Sequence, residues 1–171
     1  MSDMPNTYRE LITPLIETTR EVIASGDTLA PLALVGNMTT REMQLVNMDL
    51  DAPDPKAQLA ESIWEVAQAR RADFVFTVMD AWALPAEHAH RYAEIIERYG
   101  SIGESPYRLD IVSFSLETHW GIWMAQAPIE EGEGGSRTFA EPDFRRYPQA
   151  EGRFVGLLPI KDGEEAPTVL H

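Results

Sequence analysis

The sequence predicts an α/β fold in which a single mixed sheet carries helices on both of its faces. Apolar residues recur at helical spacing in three segments, and aliphatic and β-branched runs lie between these segments. The run Phe74–Met79 is apolar on both faces. This pattern is typical of a central strand that is covered on both sides, and such strands are often parallel. The predicted order of elements is α-β-β-α-β-α-β-β-β.

Three helices are expected, each with a recognisable start or stop signal. The first lies within Thr7–Ser25 and ends at Gly26, because glycine readily adopts the left-handed conformation found after helices. The second begins with Asp54 as its cap and Pro55 in its first turn, where proline loses no hydrogen bond. The third covers Pro85–Tyr99 and precedes a glycine.

Six strands are expected from alternating or continuous apolar runs bounded by turn residues. The first two form a hairpin, and the third is the buried central strand. The predicted strands are Pro31–Asn37, Glu42–Leu50, Phe74–Ala83, two within Arg108–Pro128, and Arg153–Ile160. A single long bent strand over Arg108–Pro128 is the alternative to the two.

The chain is predicted to form one domain over residues 1–160, because 171 residues with 44% apolar content suffice for one core. Residues 129–152 are acidic and rich in glycine, which indicates a mobile loop. Residues 161–171 are expected to form a polar tail.

The strong negative charge decides which partners are expected. The chain has 28 Asp and Glu against 14 Lys and Arg, a net charge of −14, and this charge repels a phosphate backbone. We therefore expect no nucleic acid, and any protein partner is expected to be basic. No apolar run is long enough to cross a membrane, and no secretory signal is visible at the start. With no cysteine, the chain is expected to be cytoplasmic.

No cofactor and no metal are expected. The sequence contains neither a phosphate-binding loop nor a Gly-x-Gly-x-x-Gly pattern. The absence of cysteine removes thiolate ligands. His88 and His90 are two residues apart and do not share a helix face, His119 lies in a predicted turn, and His171 ends the chain.

Four charged residues form the predicted catalytic set of an alternative hypothesis, a small enzyme. Asp80 lies at the end of the buried strand, a place where α/β sheets bind ligands. Arg108 and Asp110 lead into the following strand, and Glu117 is near its end. An arginine beside carboxylates can hold an anionic small-molecule substrate while an acid transfers a proton.

Two short patterns resemble an uncharacterised bacterial and phage-type α/β family. In this family a buried strand ends in acid-Ala-Trp, here Asp80-Ala81-Trp82. A Pro-x-Arg-x-acid pattern, here Pro106 to Asp110, leads into a strand that ends near Glu-Thr, here Glu117-Thr118. The family residue matching Asp80 is more often glutamate. The resemblance covers about the middle half of the chain and implies a bacterial or phage accessory protein, without an assigned activity.

The favoured hypothesis is a non-enzymatic binding protein that uses the loop of residues 129–152. Aromatic side chains inside an acidic rim can engage a basic protein partner. The predicted partner-binding residues are Phe139, Phe144 and Tyr147, with Glu130, Glu131 and Glu133 as the acidic rim.

A homodimer is also expected. The predicted last strand, Arg153–Ile160, is too apolar for an unprotected sheet edge, and an open edge recruits another strand. Either the loop of residues 129–152 folds over this edge, or a second copy pairs there in a symmetric dimer. The dimer is favoured, because the glycine-rich part of the loop is a poor rigid cover.

Overall fold

The computed structural model describes residues 4–148, 150 and 154–159. It is a mixed α/β structure with three α-helices and a six-stranded sheet. The α-helices are α1 (Asn6–Ser25), α2 (Pro55–Arg70) and α3 (Tyr92–Tyr99). The strands are β1 (Leu32–Gly36), β2 (Met43–Asn47), β3 (Phe74–Ala83), β4 (Leu109–Thr118), β5 (Gly121–Pro128), β6 (Glu130–Glu131), β7 (Arg137–Thr138) and β8 (Arg145–Tyr147).

The main sheet has the strand order β2-β1-β3-β4-β5-β8, and all of its pairings are antiparallel. The predicted mixed sheet, with a parallel central strand, is therefore wrong in its strand directions. The continuous apolar run of β3 reflects burial on both faces, and burial does not determine whether the neighbours are parallel. The longest pairing joins β3 to β4 over their whole lengths, from Phe74 opposite Thr118 to Ala83 opposite Leu109.

Local signals explain where two of the helices begin and end. Asp54 caps α2 by accepting a hydrogen bond from the backbone amide of Ala57 at 3.2 Å, and Pro55 occupies its first turn. Gly26 follows α1 with a φ of 83°, the left-handed conformation that glycine tolerates best. The predicted third helix is divided into a 3-10 turn, Ala86–Arg91, and α3. No helix in the described ranges combines the length and the apolar character needed to span a membrane.

The sheet contributes to two separate apolar clusters. One cluster joins α1 to alternate side chains of the central strands, including Phe76 and Phe114, whose rings stack 6.1 Å apart. The other cluster joins α2 to β1 and to Val75 of β3. Leu157 and Leu158 belong to this second cluster. Neighbouring residues of β3, such as Val75 and Phe76, thus belong to different clusters, as the alternation of side chains along a strand predicts.

The region predicted as a loop, residues 129–152, contains short elements of regular structure. β6 and β7 form a two-stranded antiparallel hairpin, and β8 pairs with β5 at one edge of the main sheet. Between them, Phe139 and Phe144 pack 5.8 Å and 6.2 Å from the ring of Phe114. The apolar residues of this segment therefore extend the core.

The predicted last strand, Arg153–Ile160, is wrong for the residues that the structure describes. Residues 154–159 form turns and bends, and the edges of the main sheet are β2 and β8. Leu157 and Leu158 are buried against the α2 cluster, so their apolar character reflects packing against that cluster and not a sheet edge. Arg153, Ile160 and the predicted tail 161–171 lie outside the described residues.

Candidate functional site

Three of the four residues of the predicted catalytic set lie together. Asp80 near the end of β3 and Asp110 near the start of β4 line one pocket with Arg108. The antiparallel register causes this, since Asp80 pairs with Val112 and Trp82 pairs with Asp110. Arg108 lies 3.9 Å from Asp110 and donates to the carbonyl of Gly103 at 2.9 Å.

Glu117 is not part of this pocket. It lies seven residues beyond Asp110 on the extended β4, which places it about 23 Å away. Its carboxylate is buried and accepts hydrogen bonds from the backbone amides of Gly156 at 2.6 Å and Leu157 at 3.1 Å. Glu117 thus holds residues 154–159 against the sheet, a structural role that sequence patterns did not reveal.

The predicted partner-binding residues divide into buried and exposed groups. Phe139 and Phe144 are 2% and 6% exposed, because their rings pack into the α1 cluster. Tyr147 and the three glutamates of the predicted rim are exposed. The aromatic side chains that were expected to contact a partner are therefore, for the most part, core residues, and binding by this segment stays a prediction.

A larger cleft lies at the other end of the sheet, where β3 begins. Its volume is about 460 Å³, within the range of ligand-binding pockets. Four separate parts of the chain meet there: the start of α1, the β1–β2 turn, the residue before β3 and the β4–β5 turn. We call it the Tyr8–Trp120 cleft, and its lining residues are Pro5, Thr7, Tyr8, Met38, Thr39, Asp73, His119 and Trp120.

The β1–β2 turn is held in place by side-chain hydrogen bonds. Asn37 accepts from the backbone amide of Thr39 at 2.8 Å and donates to the carbonyl of Arg70 at the end of α2 at 3.0 Å. Asp73 accepts from the backbone amide of Met38 at 2.5 Å. These bonds attach the turn to α2 and to the start of β3, so this wall of the cleft is preorganised.

Tyr8 brings its phenol from α1 to the floor of the cleft. Its ring meets Phe74 edge to face at a centroid distance of 5.6 Å, and the side chain is 5% exposed. Burial and the negative charge of Asp73 together raise the pKa of Tyr8 to about 12. The phenol therefore stays neutral at physiological pH, and the field of Asp73 extends into the cleft.

The β4–β5 turn presents His119 and Trp120. Thr118 stabilises this turn by accepting from the backbone amide of Trp120 at 3.1 Å and donating to the carbonyl of Gly121 at 3.1 Å. His119 Nε2 lies 2.8 Å from the carbonyl oxygen of Pro159, so this nitrogen carries a proton and donates. Trp120 is 67% exposed, which leaves most of its indole open to a ligand.

The sequence did not reveal the cleft, because its residues are widely separated along the chain. The pairing of Phe74 with Thr118 brings Asp73 close to the His119–Trp120 turn, and only the antiparallel register creates this proximity. The chemistry available there is one carboxylate, several hydroxyls, an imidazole and an exposed indole. No family model, no curated protein and no solved structure matches the chain, so the family resemblance of the two short patterns stays a prediction.

Proposed function

We propose that the chain is a non-enzymatic binding protein that takes a cationic side chain of a basic protein partner in the Tyr8–Trp120 cleft. The observation that carries this proposal is the combination of the Asp73 carboxylate and the exposed Trp120 indole in a cleft whose described lining contains no lysine or arginine.

Both groups favour a positive charge. An indole face attracts an ammonium or guanidinium group, with about 0.5–1 kcal/mol at exposed sites. The carboxylate of Asp73 adds a Coulombic attraction, and its charge already acts on Tyr8 within the cleft. The same carboxylate would repel an anionic ligand.

The charge of the whole chain supports the same partner class. A net charge of −14 attracts basic molecules from a distance and raises their association rate. The volume of about 460 Å³ accommodates a long lysine or arginine side chain together with part of its backbone. We also expect a cytoplasmic setting, on the basis of the missing cysteine.

The position of the cleft follows from an inferred layering of the fold. We infer that α1 and α2 cover opposite faces of the sheet, because alternate side chains of β3 join different apolar clusters. Tyr8 belongs to the α1 cluster, so the cleft opens at the end of the α1 layer.

Titration calorimetry with a lysine-rich peptide, and with the same peptide carrying glutamine in place of lysine, tests the proposal. We expect binding of the lysine peptide alone, weakening as salt is added. Trp120→Ala is expected to weaken binding about twofold to fivefold, the equivalent of about 0.5–1 kcal/mol. Asp73→Asn is expected to weaken it as well, while an asparagine oxygen can still accept from Met38.

Trp64→Ala is the matched control, since Trp64 is a 49% exposed tryptophan on α2, outside the cleft. Equal losses in Trp64→Ala and Trp120→Ala would show non-specific attraction to an acidic protein and would contradict the proposal. Equal binding of the lysine and glutamine peptides would contradict it too.

A further inference from the structure

A second pocket lies where β3 ends and β4 begins, and it contains charges of both signs. Its volume is about 210 Å³. We call it the Asp80–Arg137 pocket. Its charged lining residues are Asp27, Asp80, Asp110, Arg108 and Arg137, and Trp82 with several aliphatic side chains forms the remaining wall.

Three of these charged groups already have partners within the protein. Arg108 and Asp110 lie 3.9 Å apart, and Arg108 also donates to a backbone carbonyl and lies over the ring of Trp82 at 5.9 Å. Asp27 accepts a hydrogen bond from the hydroxyl of Ser25 at 3.0 Å. These contacts fix one side of the pocket.

Asp80 and Arg137 differ from the other three. Across the described ranges, neither side chain has a hydrogen bond or an ion-pair partner, and the two form no ion pair with each other. Asp80 comes from the sheet and Arg137 from the β6–β7 hairpin, so both are carried by paired strands. Two opposite charges thus line one small cavity without neutralising each other.

We propose that the Asp80–Arg137 pocket binds a small zwitterion, a free α-amino acid. The ammonium group of the ligand meets Asp80, and its carboxylate meets Arg137, whose planar guanidinium suits a carboxylate. Asp27 follows the C-terminal end of α1, where the helix dipole adds negative potential and favours the ammonium side.

The size and wall of the pocket limit the ligand to a small amino acid. A volume of about 210 Å³ holds roughly seven waters at about 30 Å³ each, which corresponds to a molecule with about as many non-hydrogen atoms. Trp82 is 57% exposed and provides an apolar surface for a short side chain. Gly103 packs against this ring so closely that a Cβ atom there would lie 2.6 Å from it, so the indole is in close contact with the backbone of Gly103 on one side.

Calorimetry and NMR titration with glycine, L-alanine and L-serine test this proposal. We expect at least one of them to bind, with saturation at about 20 mM ligand if Kd is about 1 mM. L-Alaninamide lacks the carboxylate, and N-acetyl-L-alanine lacks the ammonium group. Each is expected to bind at least about tenfold more weakly than L-alanine, because one of its two charge-assisted contacts, to the exposed Asp80 or to the partly buried Arg137, is missing.

Asp80→Asn and Arg137→Gln are expected to weaken amino-acid binding about tenfold each, while Arg145→Gln, an exposed arginine on β8, serves as the matched control. Trp120→Ala is expected to leave this binding unchanged, so failure here and failure of the cleft proposal are distinguishable. No saturation by any of the three amino acids, or equal binding of L-alaninamide and L-alanine, would overturn the inference.

Discussion

At the scale of single residues, Tyr8 shows how burial and a neighbouring charge act on the same group. Both effects disfavour the phenolate, and they raise its pKa from 10.0 to about 12. In the unfolded chain the phenol returns to its ordinary pKa. The folded state therefore keeps a proton that the unfolded state loses between about pH 10 and about pH 12.

Tyr8 is accordingly expected to make stability fall at alkaline pH. Its contribution is complete below about pH 10 and is lost as the pH rises towards about 12, because only the unfolded state gains from ionisation in that window. Urea unfolding at about pH 9 and about pH 11 is expected to show a larger loss of unfolding free energy for the parent protein than for Tyr8→Phe. Equal losses in the two proteins would contradict the raised pKa.

Phe76→Ala is expected to lower the free energy of unfolding by about 3–5 kcal/mol. Phe76 has no exposed surface, and its ring stacks on Phe114, so truncation leaves a cavity that rigid neighbours do not fill. Chemical denaturation measures the change. Trp64→Ala is the control, because the Trp64 side chain is half-exposed, and its free energy of unfolding is expected to fall by well under half as much. A loss below about 1 kcal/mol for Phe76→Ala would place the centre of the core elsewhere.

The sequence predicted correctly that some of the candidate site residues lie together, and the predictions for other residues were wrong for physical reasons. Asp80, Arg108 and Asp110 lie together because the antiparallel pairing of β3 with β4 places the end of β3 beside the start of β4. Glu117 could not be separated from them, since a buried carboxylate that accepts from two backbone amides has the same sequence signal as an exposed one. Burial of Phe139 depends on contacts across the fold, which no local pattern encodes.

At the scale of elements, the sequence predicted correctly those helix and strand boundaries that depend on neighbouring residues alone. Asp54 and Pro55 specify the start of α2, and the apolar run specifies β3 within its observed bounds, Phe74–Ala83. The strand predicted over residues 154–159 is wrong because an apolar run fits a strand and a buried turn equally well. The turn is favoured by two hydrogen bonds, which the backbone amides of Gly156 and Leu157 donate to Glu117 on the distant strand β4.

The link between Glu117 and residues 154–159 leads to an element-scale prediction. In Glu117→Gln the amide nitrogen cannot accept, so the amide of Gly156 or Leu157 loses its partner. The free energy of unfolding is expected to fall by about 1.5–3 kcal/mol, and these two amides are expected to exchange hydrogen faster. Glu130→Gln, at an exposed position, is the control. Unchanged hydrogen exchange at Gly156 and Leu157 in Glu117→Gln would show that Glu117 does not hold residues 154–159 in place.

At the scale of the whole molecule, strand direction decides which residues meet. An antiparallel order places the β1–β2 turn, the start of β3 and the β4–β5 turn at one end, where the Tyr8–Trp120 cleft lies. A parallel central strand, as the sequence suggested, would have separated Asp73 from His119. The composition of β3 could not show this, because apolar strands buried on both faces look alike in either direction.

Because residues 154–159 form no edge strand, a homodimer would have to pair through another edge of the sheet, and β2 is the edge that we expect. β2 carries no charged residue and no proline, and its outer side has no strand partner among the described residues. Symmetric pairing of two β2 strands predicts a mass near twice 19.2 kDa by light scattering. Leu45→Lys is expected to produce a monomer that remains folded, since Leu45 is 53% exposed. Leu50→Lys is the control, because Leu50 is exposed but lies outside β2, and this variant is expected to remain a dimer. A monomeric parent protein would exclude the dimer.

The distribution of arginine over the surface leads to the last prediction, that the protein does not bind duplex DNA at physiological salt. A net charge of −14 repels phosphates, and duplex binding requires several unpaired cations on one face. The sequence contains two adjacent arginine pairs, Arg70–Arg71 and Arg145–Arg146, and three of these four side chains have a partner within the protein. Arg70 lies 3.1 Å from Glu42, Arg145 lies 3.9 Å from Asp143, and Arg146 donates to the carbonyl of Trp120.

A gel-shift assay with micromolar protein in about 150 mM salt is expected to show free DNA only, under conditions in which the lysine-rich peptide still binds. A retarded band that disappears on mutation of these arginines would show that the local cations outweigh the charge of the whole chain.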